Sequence, residues 1–206
     1  MALGVRTWGN DPGGPTVMLS GTYQQRSAVG ALALDALPRV IVVRSTDWDS
    51  PLPALLADET ANDRPGQAAV LDRLIDLVTV TSIRHWAEHA DDAPSWRRAT
   101  ADPCIARSLE LIHNLPNHPW DLVGLAAMVG LSRAAFAKRF NDLMGEPPIS
   151  YLSWWRLAIA ADLLRTPDAT VTAVAHQLGY ANPFTFSNAF KRHHGVSPSQ
   201  LRAKAS

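Results

Sequence analysis

At 206 residues, 47% hydrophobic and 18% charged, the chain can bury a core in one or two domains and is too apolar for a disordered protein. No apolar run approaches the roughly 20 residues of a membrane helix, and the N-terminus, with Arg6 followed by glycine and aspartate, lacks a signal-peptide core, so a cytoplasmic protein is expected. The single Cys104 excludes an internal disulfide framework and a thiolate zinc site, and the net charge of zero hides a split: residues 1–103 hold nine Lys/Arg against thirteen Asp/Glu, residues 104–206 ten against six.

In chain order, Val17, Leu19 and Tyr23 alternate around Gly21 and predict a bent, half-buried strand over Thr16 to Tyr23. A second strand is expected over Arg39 to Arg44, through Val40, Ile41, Val42 and Val43. Two strands alone make no stable sheet in water, so the opening segment either pairs with another chain or is the remainder of a larger β domain. Ser50 before Pro51 predicts a capped helix to about Ala61. Pro65 opens a longer one to about His89, with Leu71, Leu74, Ile75, Val78, Ser82 and Trp86 on one face. That face closes the β region, packs within its own subunit, or meets its copy in a homodimer through 66–89. His85 and His89 stand four apart without further ligands, so neither a metal nor another cofactor is expected. The Asp, Pro, Ser and Thr content of residues 90–102 reads as a linker, anchored by Trp96, Arg97 and Arg98.

Beyond it lies a repeat. Gly130-Leu131-Ser132, Phe136, Phe140, Gly145 and Pro148 are matched by Gly179-Tyr180-Ala181-Asn182, Phe186, Phe190, Gly195 and Pro198. The second copy has one extra residue between glycine and cap. Asp102-Pro103 starts a helix carrying Ile105, Leu109 and Ile112 on one face. Asp121 and Thr170 cap the first helix of each copy, Gly130 and Gly179 make the turns, and Ser132 and Asn182 cap the second helices. Phe136, Phe140 and Leu143 face inward in the first copy, and Phe186 and Phe190 in the second. A long helix from Ile149 to about Arg165, with Leu152, Trp155, Ile159, Leu163 and Leu164 supplying a wide apolar face, joins the two, and a short one follows Pro198. The expected fold is therefore mainly α: a seven-helix double helix-turn-helix domain after a truncated β plus α segment.

These residues, with Tyr151-Leu152, Trp155-Arg156, Leu163-Leu164, Phe190-Lys191-Arg192 and Leu201, resemble the DNA-binding domain of AraC/XylS-type bacterial transcription regulators over roughly residues 104 to 203. The resemblance implies two recognition helices entering successive major-groove segments of double-stranded DNA, with RNA polymerase as a further partner. It divides the chain into a partial cupin-like sensor and dimerisation region at 1–95, a linker at 96–103 and a DNA-binding domain at 104–206, with units at about 121–144 and 170–194. Transferred residue by residue, the DNA contacts are Ser132, Arg133, Ala134, Ala137, Lys138 and Arg139 in the first unit, and Asn182, Phe184, Thr185, Ser187, Asn188, Lys191 and Arg192 in the second. Ala134 and Ala137 reach only thymine methyls, whereas Asn188 has the groups for a bidentate pair with adenine. Phe184 either contacts a thymine methyl or folds back onto the preceding helix. Arg156 is expected to brace the domain interior.

Residues 14 to 100 resemble the end of a cupin-like sensor domain. The strands that would build most of its ligand pocket are missing before Met1, so a shortened protein or a misplaced start is expected, and a small-molecule effector is not assigned. Two rival readings stand beside the regulator. One is a truncated partner that dimerises with a full-length regulator. The other is an enzyme using Cys104 at a helix N-terminus, where thiol pKa falls, but no base accompanies it and catalysis is not expected.

Overall fold

The structure, a computed structural model, describes residues 27–35, 37–44, 46–90 and 95–205, and the regular elements among them are helices. Two compact units divide the chain, one of Met1–Gln24 with Pro38–Ala93 and one of Gln25–Leu37 with Pro94–Ser206.

In the first unit α2 (Leu52–Ala61) packs along α3 (Gln67–His89). The predicted cap of α2 is displaced by one residue. Pro51 already has helical dihedrals and takes the cap position, leaving Ser50 Oγ a 3.4 Å contact from the Leu52 amide. The face of α3 read from the sequence is half-buried from Leu71 to Trp86. Residues 39–44 form no strand, although burial alternates along them, with Val40 and Val42 exposed and Ile41 and Val43 half-buried. A strand persists only within a ladder, and its expected companion, Thr16 to Tyr23, lies outside the described residues.

The second unit contains α1 (Ala28–Asp35), α4 (Ser95–Ala101) and seven further helices in the predicted order: α5 (Pro103–Asn114), α6 (Leu122–Met128), α7 (Arg133–Met144), α8 (Pro148–Leu163), α9 (Val171–Gln177), α10 (Pro183–His194) and α11 (Pro198–Ala205). Two hydrophobic cores lie side by side. One gathers Ile105, Leu109, Ile112, Leu125, Phe136 and Phe140, and the other Leu164, Val174, Ala175, Leu178, Phe186 and Phe190. Helix α8 belongs to both, giving Tyr151 and Leu152 to the first and Leu157, Ala160 and Ala161 to the second. Its apolar surface therefore wraps around the helix instead of forming the single face read from the sequence. The four phenylalanines are fully buried, and each contributes on the order of 1.5 to 3 kcal/mol. They hold the second helix of each unit against its core.

Two segments depart from expectation. Residues 95–101, read as linker, form α4, which packs on α7 with Ala99 fully buried. The small side chain of Ala99 allows that close approach; the side chain of Trp96 lies outside the described residues. Helix α1 packs on α8, where the Asp162 carboxylate accepts from Ser27 Oγ and the amides of Ala28 and Val29, and so caps α1 from another helix.

Candidate nucleic-acid interface

The two turns have the same hydrogen bonding. Gly130 N–H donates to Ala127 O and Leu131 N–H to Ala126 O; Gly179 N–H donates to His176 O and Tyr180 N–H to Ala175 O. Both glycines take positive φ, 69° and 75°, which satisfies the last carbonyls of the preceding helix while reversing the chain. Ser132 Oγ then accepts from the Ala135 amide at 3.2 Å, and Asn182 Oδ1 from the Thr185 amide at 2.8 Å. Caps, turns and the Phe pairs appear where the sequence placed them. In the second turn Tyr180 lies edge-on against Phe186, with ring centroids 5.1 Å apart.

Burial of Phe136 and Phe140 turns Arg133, Ala134, Lys138 and Asn141 of α7 to solvent, with Ala137 half-buried among them. On α10 the exposed residues are Phe184, Thr185, Asn188, Lys191 and Arg192, while Ser187 is half-buried toward the flank. At 76% exposed, Phe184 stands out from α10 and does not fold back on α9.

The basic residues are not equivalent. Arg133, Lys191 and Arg192 form no ion pair among the described residues. Lys138 Nζ lies 2.6 Å from Asp142 Oδ2, one turn along an exposed helix face. Arg139 Nε donates to Asp102 Oδ2, and Asp102 Oδ1 accepts from the Cys104 and Ile105 amides at the start of α5. A residue read as a DNA contact thus also fastens α7 to the α5 cap. Its partner is 37 positions away, and no local pattern could have signalled it.

Arg156 braces the interior as expected. Its Nε donates to Pro116 O and its Nη2 to His118 O, and burial pulls its pKa below the usual guanidinium value. The loop it holds abuts the second turn so closely that a Cβ on Gly179 would sit 2.5 Å from Asn117 O. Burial also lowers the pKa of His113, whose Nε2 lies 2.8 Å from Tyr151 Oη, and pushes the Tyr151 phenol up to about 12. Cys104 Sγ faces Val129 O at 3.6 Å, and the described residues hold no cluster of three His, Cys, Asp or Glu side chains suited to a metal ion. No described helix is long and apolar enough to cross a membrane.

Residues 125–204 match a family described as a helix-turn-helix domain, and residues 2–88 match a cupin family. The HTH-type transcriptional regulator AlkR of Acinetobacter baylyi is 31% identical over 183 residues, covering 86% of this chain and 60% of that protein. A putative AraC-like transcription regulator of Streptomyces antibioticus is 32% identical over 200 residues, covering 92% of this chain and 64% of that protein. The chain thus spans less than two thirds of the length of these curated relatives. Among solved structures, the DNA-binding domain of AdpA in complex with a target DNA is 33% identical, covers 50% of this chain and 92% of that one, and superposes with a TM-score of 0.48. With both of its parts matched and its paired turns in register, the chain is similar to proteins named as AraC-like transcription regulators, with a cupin-family match ahead of its helix-turn-helix match.

Proposed function

We propose that this chain is a sequence-specific DNA-binding transcription regulator of the cytoplasm, and that α7 and α10 enter successive major-groove segments of one duplex. The carrying observation is the pair of solvent-facing helices, each pinned by two buried phenylalanines and started by a side-chain cap, that share α8 as a common support. In this reading residues 104–206 act on DNA and residues 1–95 serve sensing or dimerisation, with 96–103 between them. Arg133, Lys138, Lys191 and Arg192 bind phosphate or base edges, and Thr185, Asn188 and Phe184 read bases. Ala134 and Ala137 allow close approach, Ser132 and Asn182 present the helix N-termini, and Ser187 lies beside them. Arg139 reaches DNA only by leaving Asp102. RNA polymerase is the further partner this role entails.

Selection of bound sequences from a random duplex pool tests the reading. A motif with two half-sites about 10 bp apart is expected, with affinity that falls steeply as salt rises. Binding that ignores both sequence and salt would remove it.

A specific observation favours a second reading for 66–89, as a dimer surface. Val70, Leu77 and Val80 recur at helical spacing along α3 and are 44%, 51% and 52% exposed. A second copy of the chain, or a longer relative, would bury that stripe. Sedimentation of the full chain should show a dimer that Leu77→Glu dissociates; a monomer at all concentrations would discard this surface.

A further inference from the structure

Beside the recognition face of α10 the unit carries a groove of about 510 Å³ with a wall of α8 residues, among them Ser150, Ser153 and Trp154, and a wall of α10 residues that includes Arg192 and His193. Arg192 follows Asn188 by one turn, so it stands on the strip of α10 that faces outward with Asn188 and also lines the groove. On α8, Ser150 and Ser153 are three apart and share one side of that helix. The groove therefore opens along the margin of the surface proposed to meet DNA.

Its position in the chain gives it a target. When two helices of one domain enter successive major-groove segments on one face of a duplex, the intervening minor groove and its two phosphate strands face whatever joins those helices. Here that joining element is α8, which leaves α7 at Gly145 and runs past α10. The groove offers what a phosphate strand needs: a guanidinium with no carboxylate partner among the described residues, and on a rigid helix the hydroxyls of Ser150 and of Ser153, the latter shared with the Tyr180 phenol. We propose that Arg192, Ser150 and Ser153 form a third DNA contact, a seat for the backbone phosphates between the two half-sites. The proposal rests on the DNA-binding reading and adds α8 to its contact surface. Glu146, the one carboxylate in the lining, opposes an anion there, and burial raises its pKa. Its charge limits the seat without closing it.

The experiment uses the full chain and a duplex recovered from the random pool, with the phosphates midway between the half-sites replaced by neutral methylphosphonates. Wild type should bind the modified duplex about tenfold more weakly, as expected for loss of a charge-assisted hydrogen bond. The Ser150→Ala, Ser153→Ala, Arg192→Ala triple variant should bind both duplexes alike, with a salt slope shallower than wild type by about 1 for each phosphate released. Glu146→Gln should tighten binding to the unmodified duplex only. Wild-type binding that ignores the central methylphosphonates, or a triple variant that still loses tenfold, overturns the seat while leaving the regulator reading in place. A chain that binds no duplex in a salt-dependent way refutes both. Equal unfolding midpoints for variant and wild type show that the substitutions have not acted through the fold.

Discussion

Gly130 and Gly179 occupy equivalent turn positions with φ of 69° and 75°, yet a methyl group added at each meets different surroundings. At Gly130 nothing lies within 4 Å of the new Cβ. At Gly179 it would lie 2.5 Å from Asn117 O, 3.1 Å from the Asn117 carbonyl carbon and 3.3 Å from Arg156 Nη2. The left-handed backbone costs a non-glycine residue roughly 1 to 2 kcal/mol, and Gly130→Ala should lose about that much. Gly179→Ala adds an overpacking cost of about 1 to 3 kcal/mol, because the obstacle is backbone that Arg156 clamps through Pro116 O and His118 O. The two variants should differ by about 1 to 3 kcal/mol, or about 0.5 to 1.5 M in urea midpoint at a slope of about 2 kcal/mol/M. Urea unfolding followed by far-UV circular dichroism measures both. In an Arg156→Ala background the loop can yield and the difference should shrink. Equal losses at the two glycines would refute the claim that the 116–118 loop sets the second turn.

Asn188→Ala should cost about 1 to 3 kcal/mol at one base pair of the selected site and leave random duplex nearly unaffected; a uniform loss would make Asn188 a positioning contact. Asp102→Asn keeps the α5 cap but frees Arg139. Because the Arg139 side chain is 48% exposed, the stability loss should stay below about 1 kcal/mol, with binding to random duplex strengthened, and an unchanged affinity would leave Arg139 as a brace for the α5 cap alone. Burial acts to raise the Asp162 carboxyl, but the Ala28 amide, the Ser27 hydroxyl, the Val29 amide and Arg165 together hold it below its usual range. Its folded value is depressed, so its stabilising contribution is complete above the unfolded value of about 4 and is lost as pH falls through the folded one. Asp162→Asn should therefore destabilise the unit at pH 7 and become neutral in acid, and a pH-independent difference in unfolding midpoint would contradict that role.

Legibility followed the range of the interaction. Local chemistry was readable: Asp102, Asp121, Ser132, Thr170 and Asn182 each accept an amide from the following turn, as their types and positions predict. The paired Phe-x-x-x-Phe faces were equally plain, because burial imposes the helical period. Helix α4 was missed because its short, polar sequence has no amphipathic signal, and it is held by packing on α7. The burial of α8 was read as one face because two cores claim different sides of it. Long-range pairs left no trace at all: Asp102 with Arg139, Asp162 with the start of α1, and Gly179 with Asn117 join residues that only the fold brings together.

If α7 and α10 both enter the major groove, the difference between their exposed side chains sets an expectation about the DNA site. On α7, Ala134 and Ala137 end at Cβ and Lys138 is held toward Asp142, so Arg133 is left as the long side chain of that face without an ion partner among the described residues. On α10, Thr185 and Asn188 are exposed, and Phe184 holds most of its ring in water, an arrangement that favours a surface awaiting an apolar partner such as a thymine methyl. Base discrimination should therefore concentrate under α10. Under α7 the duplex should be recognised through charge and groove shape, which tolerate many sequences. The selected motif should show one half-site with strongly constrained positions, including a thymine opposite Phe184, and one degenerate half. Phe184→Ala should relax only the constrained half. Two equally constrained half-sites would mean that α7 reads bases through contacts that its alanines do not provide, and the asymmetry argued from the side chains would be wrong.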